Sequence, residues 1–310
     1  VAAGMITAAR YYEKLQHDEV RCRLCPNMCT LVHGEYGKCQ VRVNQHGDLF
    51  TDNYTACSSL QLDPIEKKPL YHFFPGSKIL SIGSLGCNFH CDFCQNYQIS
   101  QQFSHDGSDA IEYRPEDLIS NCKREDNSIG LAFTYNEPTV FYEYMYDMAK
   151  LAKEAGLKCV MVSNGYINNE PLVDLLPYID AFNIDLKAFS DSFYREITGG
   201  RLHPVKETLK TIRAAGRHLE VTYLLIPGIN DRKSDFRKMI NWIIDNLGAD
   251  TILHISRYFP HYKSEIPRTP LDLMVDFCNT ARKSLSYVYL GNIAGSDSQN
   301  TYCSQCGKLV

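Results

Sequence analysis

From Lys78 onward the sequence alternates short apolar runs with longer amphipathic stretches, and this alternation narrows the possible folds more than any other feature. Strand-like runs fall at residues 78–84, 129–134, 158–163, 181–186, 218–225 and 251–256, with a weaker one at 287–290. Helical patterns fall between them near 115–123, 139–155, 170–176, 192–197, 205–215, 234–247 and 271–284. Pro115 followed by Glu116 signals a helix start, and Gly156 signals a helix end. Such alternation gives parallel strands joined by right-handed crossovers, with helices covering the sheet. Six units are too few for a closed eight-unit barrel, so the expected class is α/β with an open sheet. The chain divides into a Cys-rich N-terminal module over 1–76, an α/β body over 77–290 and a tail over 291–310.

In such sheets ligands bind beyond the carboxyl ends of the strands, so unusual polar residues should gather there. They do so after each of the six runs. The first is followed by a cysteine loop and the second by Thr134-Tyr135-Asn136-Glu137-Pro138. Ser163-Asn164-Gly165, Asp185-Leu186-Lys187, the Pro227–Asp231 turn and His254-Ile255-Ser256-Arg257 end the other four. One polar loop would mean little, whereas six at one edge describe a site.

Composition excludes several classes. With 32 basic and 36 acidic residues the net charge is −4, which argues against a general nucleic-acid or membrane-surface binder. No apolar run approaches the ~20 residues that cross a bilayer, and no export signal is visible. Thirteen cysteines, an odd number in tight clusters, favour metal ligation in a reducing, cytoplasmic setting over disulfides. Cys122, Cys159 and Cys278 lie in apolar patterns as small core residues, while Cys57 follows a polar stretch and is harder to assign.

The loop after the first strand reads Gly86-Cys87-Asn88-Phe89-His90-Cys91-Asp92-Phe93-Cys94, a C-x3-C-x2-C spacing. Three thiolates can bind three corners of a 4Fe–4S cube and leave the fourth iron without a protein ligand. Clusters that only carry electrons normally use four cysteines, so a missing ligand points to an iron kept open for chemistry. A zinc knuckle or a chance grouping is the plainer alternative.

This run resembles the signature of the radical S-adenosylmethionine (SAM) enzymes. Cys22-Arg23-Leu24-Cys25-Pro26, the Gly86–Cys91 run, Thr134–Pro138 and Gly291-Asn292 before Cys303 resemble, together, the radical SAM enzymes of the AmmeMemoRadiSam system. Those enzymes are homologues of pyruvate formate-lyase (glycyl radical enzyme) activating enzymes. The resemblance implies an open partial (β/α)6 TIM-like barrel and an oxidoreductase that uses a 4Fe–4S cluster to cleave SAM to a 5′-deoxyadenosyl radical. It also implies an electron donor such as flavodoxin or ferredoxin and a protein or small-molecule substrate.

Residue by residue, the resemblance places Phe93 against adenine and Asn136-Glu137 at the position that holds the SAM amino group. Asn164 falls near methionine or ribose, and Asp185 and Lys187 match a segment whose lysine faces the SAM carboxylate. Gly228 matches a turn whose backbone packs on adenine, and His254 is a candidate for ribose or substrate contact. Each has a plainer reading: Glu137 as a helix cap, Asp185–Lys187 as a surface pair, Gly228 as an ordinary turn, His254 as a core histidine. Val162 and Thr222 replace an acidic residue and an arginine of the activating enzymes, which puts a monovalent cation and an activase substrate in doubt.

Two cysteine groups remain. Cys22, Cys25, Cys29 and Cys39 form a second candidate site, for an iron–sulfur cluster or for zinc. Cys303 and Cys306 form a C-x2-C-G knuckle that could instead pair with Cys22 and Cys25. A non-enzymatic iron–sulfur or zinc scaffold would explain the cysteines but not the polar groups after every strand.

Overall fold

The computed structural model describes residues 6–105, 108–293, 300–303 and 305–309. Its main sheet has eight strands: β1 (Ser59–Pro64), β2 (Lys78–Gly83), β3 (Ser128–Phe133), β4 (Lys158–Ser163), β5 (Ala181–Asp185), β6 (His218–Leu225), β7 (Ile252–Arg257) and β8 (Tyr287–Gly291). They lie side by side in chain order, with β1 and β8 as the two edges. β1 runs antiparallel to β2, and every other neighbouring pair is parallel. The sheet is therefore an open α/β barrel. Five of the six residues of β2 are buried, the burial of a strand covered on both faces.

Among the described residues, six α-helices of seven or more residues follow the strands: α1 (Pro115–Arg124), α2 (Tyr142–Glu154), α3 (Asn169–Leu175), α4 (Leu202–Ala214), α5 (Lys233–Leu247) and α6 (Leu271–Arg282). Each turns one apolar stripe inward. In α5 that stripe is Phe236, Met239, Ile240, Ile243 and Leu247, at the three- and four-residue spacing of a single helix face. Pro115 opens α1, and Gly156, at φ +74°, follows the end of α2.

The division at residue 76 is not a boundary in the structure. β1 belongs to the barrel sheet, and Ala56–Cys57 pairs with Ile111–Glu112. Residues 65–75 enter the barrel and fill its floor. Ile65 and Leu70 pack against Ile79, Ala132, Val160 and Ala181, one from each of four strands. Asn183 Nδ2 donates to Pro69 O at 2.8 Å, and the buried carboxylate of Glu220 accepts from the backbone N–H groups of Tyr71 and His72. Sequence periodicity missed this plug because its order is set by partners on distant strands.

Candidate active site

The cysteine loop leaves β2 and is clamped by side chains from the next two strand ends. Asn136 Oδ1 accepts from Ser84 N at 3.0 Å, and its Nδ2 donates to Gly86 O at 2.9 Å. Gly86 sits at φ +87°, where a Cβ would lie 2.5 Å from Cys39 O, so only glycine fits. Asn88 is buried. Its Nδ2 donates to Tyr166 O at 2.7 Å, and its Oδ1 accepts from Asn164 Nδ2 at 2.8 Å.

Cys87, Cys91, Cys94, Phe93, Asn136, Glu137, Asn164, Asp185 and Lys187 all line one cavity of about 630 Å³. The three sulfurs have polar neighbours. Phe89 N donates to Cys87 Sγ at 3.4 Å, Asn164 Nδ2 lies 3.9 Å from the same sulfur, and Cys94 Sγ is 3.2 Å from Ser100 Oγ. Burial pushes the Cys91 thiol up to about 12, and the nearby Lys187 ammonium works in the opposite direction. These donors and the Lys187 cation favour sulfur in its anionic form, against the burial that favours the neutral thiol.

Lys187 Nζ pairs with Asp185 Oδ2 at 2.7 Å. Burial opposes its charge, but Asp185 and Cys91 outweigh that effect and hold its pKa above the ordinary value. The backbone here is pinned as well: Lys187 N donates to Tyr194 Oη, and Asn230 Nδ2 donates to Lys187 O. Asn230, which sequence reasoning passed over, thereby ties the turn after β6 to the end of β5.

Three of the expected residues have partners within the chain. Glu137 is buried and already engaged. Its Oε1 accepts from Thr139 N, Thr139 Oγ1 and Ser163 Oγ, and its Oε2 accepts from Asn164 N at 2.8 Å. It caps the turn Pro138–Phe141 and fixes the end of β4. Gly228 does not line the cavity; its N–H donates to Asp231 Oδ2 within a surface turn. His254 is a buried core residue 2.5 Å from Glu220 Oε2, stacked on Tyr289. It borders a second cavity of about 690 Å³ instead, which shares Lys67, Ser256 and Asn292 with the first.

The structure also adds residues to the cavity wall. Asp63, at the end of β1, accepts from Lys67 at 3.0 Å, Lys68 at 2.8 Å and Tyr135 Oη at 2.6 Å. Lys68 is buried, with its ammonium 4.6 Å from the centre of the Tyr135 ring. Burial alone would raise the Asp63 carboxyl, but these donors hold it well below the carboxylate range. The charge-rich run Asp63–Lys68 in an otherwise apolar stretch was the available signal.

The N-terminal cysteines also come together. A Cβ on Gly37 would lie 3.7 Å from Cys29 Sγ and 3.8 Å from Cys39 Sγ, while half-buried Cys25 is near enough to Cys22, Cys39 and Cys29 to feel their charge. Among the described residues, no three His, Cys, Asp or Glu side chains converge as ligands of a single ion would. Cys303 and Cys306 form their own turn, with Cys303 N donating to Lys308 O at 2.8 Å. Cys57 is buried against Tyr144 as a core thiol.

Residues 81–243 match the model of the radical SAM superfamily. The chain belongs to that superfamily. It is 44% identical over 304 residues to an uncharacterized protein of Methanocaldococcus jannaschii, covering 97% of this chain and 90% of that one. It is 26% identical over 169 residues to the pyruvate formate-lyase-activating enzyme of Clostridium pasteurianum, covering 52% of this chain and 67% of the relative. A radical SAM methyltransferase from Sphaerobacter thermophilus superposes with a TM-score of 0.58 at 15% identity, over 76% of this chain and 71% of that chain, a likeness of fold alone. As a radical SAM protein the chain is of a kind that uses a 4Fe–4S cluster and SAM, and its open α/β barrel is the fold of that superfamily. Among the described residues, no helix is long and apolar enough to cross a membrane.

Proposed function

We propose that this chain is a radical SAM oxidoreductase that cleaves SAM reductively and abstracts a hydrogen atom from a bound substrate. The observation that carries the reading is the convergence of Cys87, Cys91, Cys94 and Lys187 on one cavity at the carboxyl ends of the strands. When bound, a 4Fe–4S cluster supplies the electron that splits SAM into methionine and the 5′-deoxyadenosyl radical. The chain's residues do the rest. Cys87, Cys91 and Cys94 hold the cluster, Asn136 and Asn88 fix the loop that carries them, and Lys187 neutralises the SAM carboxylate. Phe93 offers an apolar surface for adenine. Glu137 acts by positioning the Ser163–Asn164 turn rather than by direct contact.

SAM and a cluster would take up much of the first cavity, so the neighbouring one, entered past Lys67, Ser256 and Asn292, is the place for substrate. Similarity to the activating enzymes favours a protein substrate. The second cavity, about 690 Å³, has room for a small molecule or a short peptide segment. Cys22, Cys25, Cys29 and Cys39 bind a second metal centre, and a one-electron protein donor of the cytoplasm supplies the reductant. Anaerobic reconstitution, followed by assay of 5′-deoxyadenosine with dithionite and SAM, tests the core of this reading. Nucleoside formation supports it, and none from a preparation with intact cluster refutes it.

A further inference from the structure

The four N-terminal cysteines carry more than a structural role. All are free thiols; Cys22 and Cys39 are buried, and Cys25 and Cys29 partly so. Arg42 is buried beside them at 1% exposure, with Nη1 3.8 Å from Cys22 Sγ. Its Nη2 is paired with Glu143, yet its Nε has no hydrogen-bond partner. A buried N–H without a partner is unfavourable, and an anionic sulfur-rich group at this place would satisfy it. Lys38 N also donates to Cys29 Sγ at 3.5 Å.

Position supplies the function. The carbonyl of Cys39 abuts Gly86, the residue before Cys87, at a distance that excludes any Cβ. Asn27, between Cys25 and Cys29, donates from Nδ2 to Asn88 O at 2.9 Å, the residue after Cys87. Two direct contacts thus join the two sulfur sets on either side of one catalytic ligand.

We propose that Cys22, Cys25, Cys29 and Cys39 hold a second 4Fe–4S cluster that relays electrons to the cluster of Cys87, Cys91 and Cys94. The proposal rests on the SAM-cleaving reading for what the electron does next. With four protein ligands no iron is open, so this cluster cannot bind SAM and serves as a carrier. A reduced low-potential protein donor, of the flavodoxin or ferredoxin class, gives one electron to the N-terminal cluster. That cluster is reoxidised as the catalytic cluster passes from its 2+ to its 1+ state, with no atom transferred.

The test uses the full-length chain, reconstituted anaerobically. The Cys87→Ala/Cys91→Ala/Cys94→Ala variant should keep about half the wild-type iron and give, on reduction, an electron paramagnetic resonance signal that SAM does not alter. Zinc in place of iron, or no metal, overturns the proposal. In Cys29→Ser the ratio of 5′-deoxyadenosine formed with reduced flavodoxin to that formed with dithionite should fall by roughly tenfold or more. An unchanged ratio overturns the relay. Wild-type protein with full iron and no nucleoside would count against SAM cleavage instead, because the iron count and the resonance signal do not depend on turnover.

Discussion

Replacing Lys187 with alanine should weaken SAM binding by roughly ten- to a hundredfold while leaving the iron content unchanged. The Lys187 ammonium is 15% exposed, 2.7 Å from Asp185, and faces the cavity that holds the three cysteines. A charge-assisted hydrogen bond from such a group contributes about 1.5–3 kcal/mol, and every ~1.4 kcal/mol is tenfold in affinity. Alanine also leaves Asp185 without its cation, and a free carboxylate would repel the SAM carboxylate. The double variant Lys187→Ala/Asp185→Asn separates the two effects. It should remain at least roughly tenfold weaker than wild type if the ammonium itself binds SAM. Equilibrium binding of SAM to the reconstituted protein, with iron measured on the same samples, supplies the data. Affinity within about twofold of wild type for Lys187→Ala, or its full return in the double variant, would refute the reasoning.

Alanine at Cys87, Cys91 or Cys94 should each abolish 5′-deoxyadenosine formation, and near wild-type formation from any one would show that the catalytic cluster lies elsewhere. Gly200→Ala should destabilise the cysteine loop, because its Cβ would lie 2.3 Å from Cε1 of the buried Phe89 ring. A cost of about 1–3 kcal/mol is expected, visible as a lower unfolding midpoint and as poorer iron retention. Glu220→Gln should change acid stability. Burial alone would raise this carboxyl, but His218 and His254 hold it at about 2 against an ordinary 4.5, so its stabilisation is complete above pH 4.5 and lost as pH falls toward 2. Urea unfolding at stepped pH should show that slope in wild type and a shallower one in the variant.

Much of the barrel was legible in the sequence because buried parallel strands and amphipathic helices are written locally. The runs at 158–163 and 218–225 coincide with β4 and β6 to the residue. β1 was missed, since Ser59–Pro64 mixes polar and apolar residues at a sheet edge and ends in proline. The lining of the first cavity was legible where residue type carries chemistry, as in the three cysteines and Lys187. It was not legible where role depends on a remote partner. The sequence left His254 between a ligand contact and a core histidine because nothing near it announces Glu220, 34 positions earlier. Glu137 carries the right chemistry for an ammonium, but the sequence did not show that it also caps Thr139 and holds Asn164 N. Asp63 and Lys68 escaped notice because they enter the cavity from a segment assigned to another module.

The plug across the barrel floor has a consequence for synthesis. Leu70 to Phe73 leave the ribosome well before the strand that anchors them, since His72 N bonds to Glu220 148 positions later. Until β6 emerges, Leu70 can pack only against β2 to β5, and Tyr71 and His72 lack the Glu220 carboxylate that anchors their backbone. Contacts of such long range delay folding and leave intermediates open to aggregation. The plug would therefore lock into the barrel only once β6 has been made, late relative to the segment it holds.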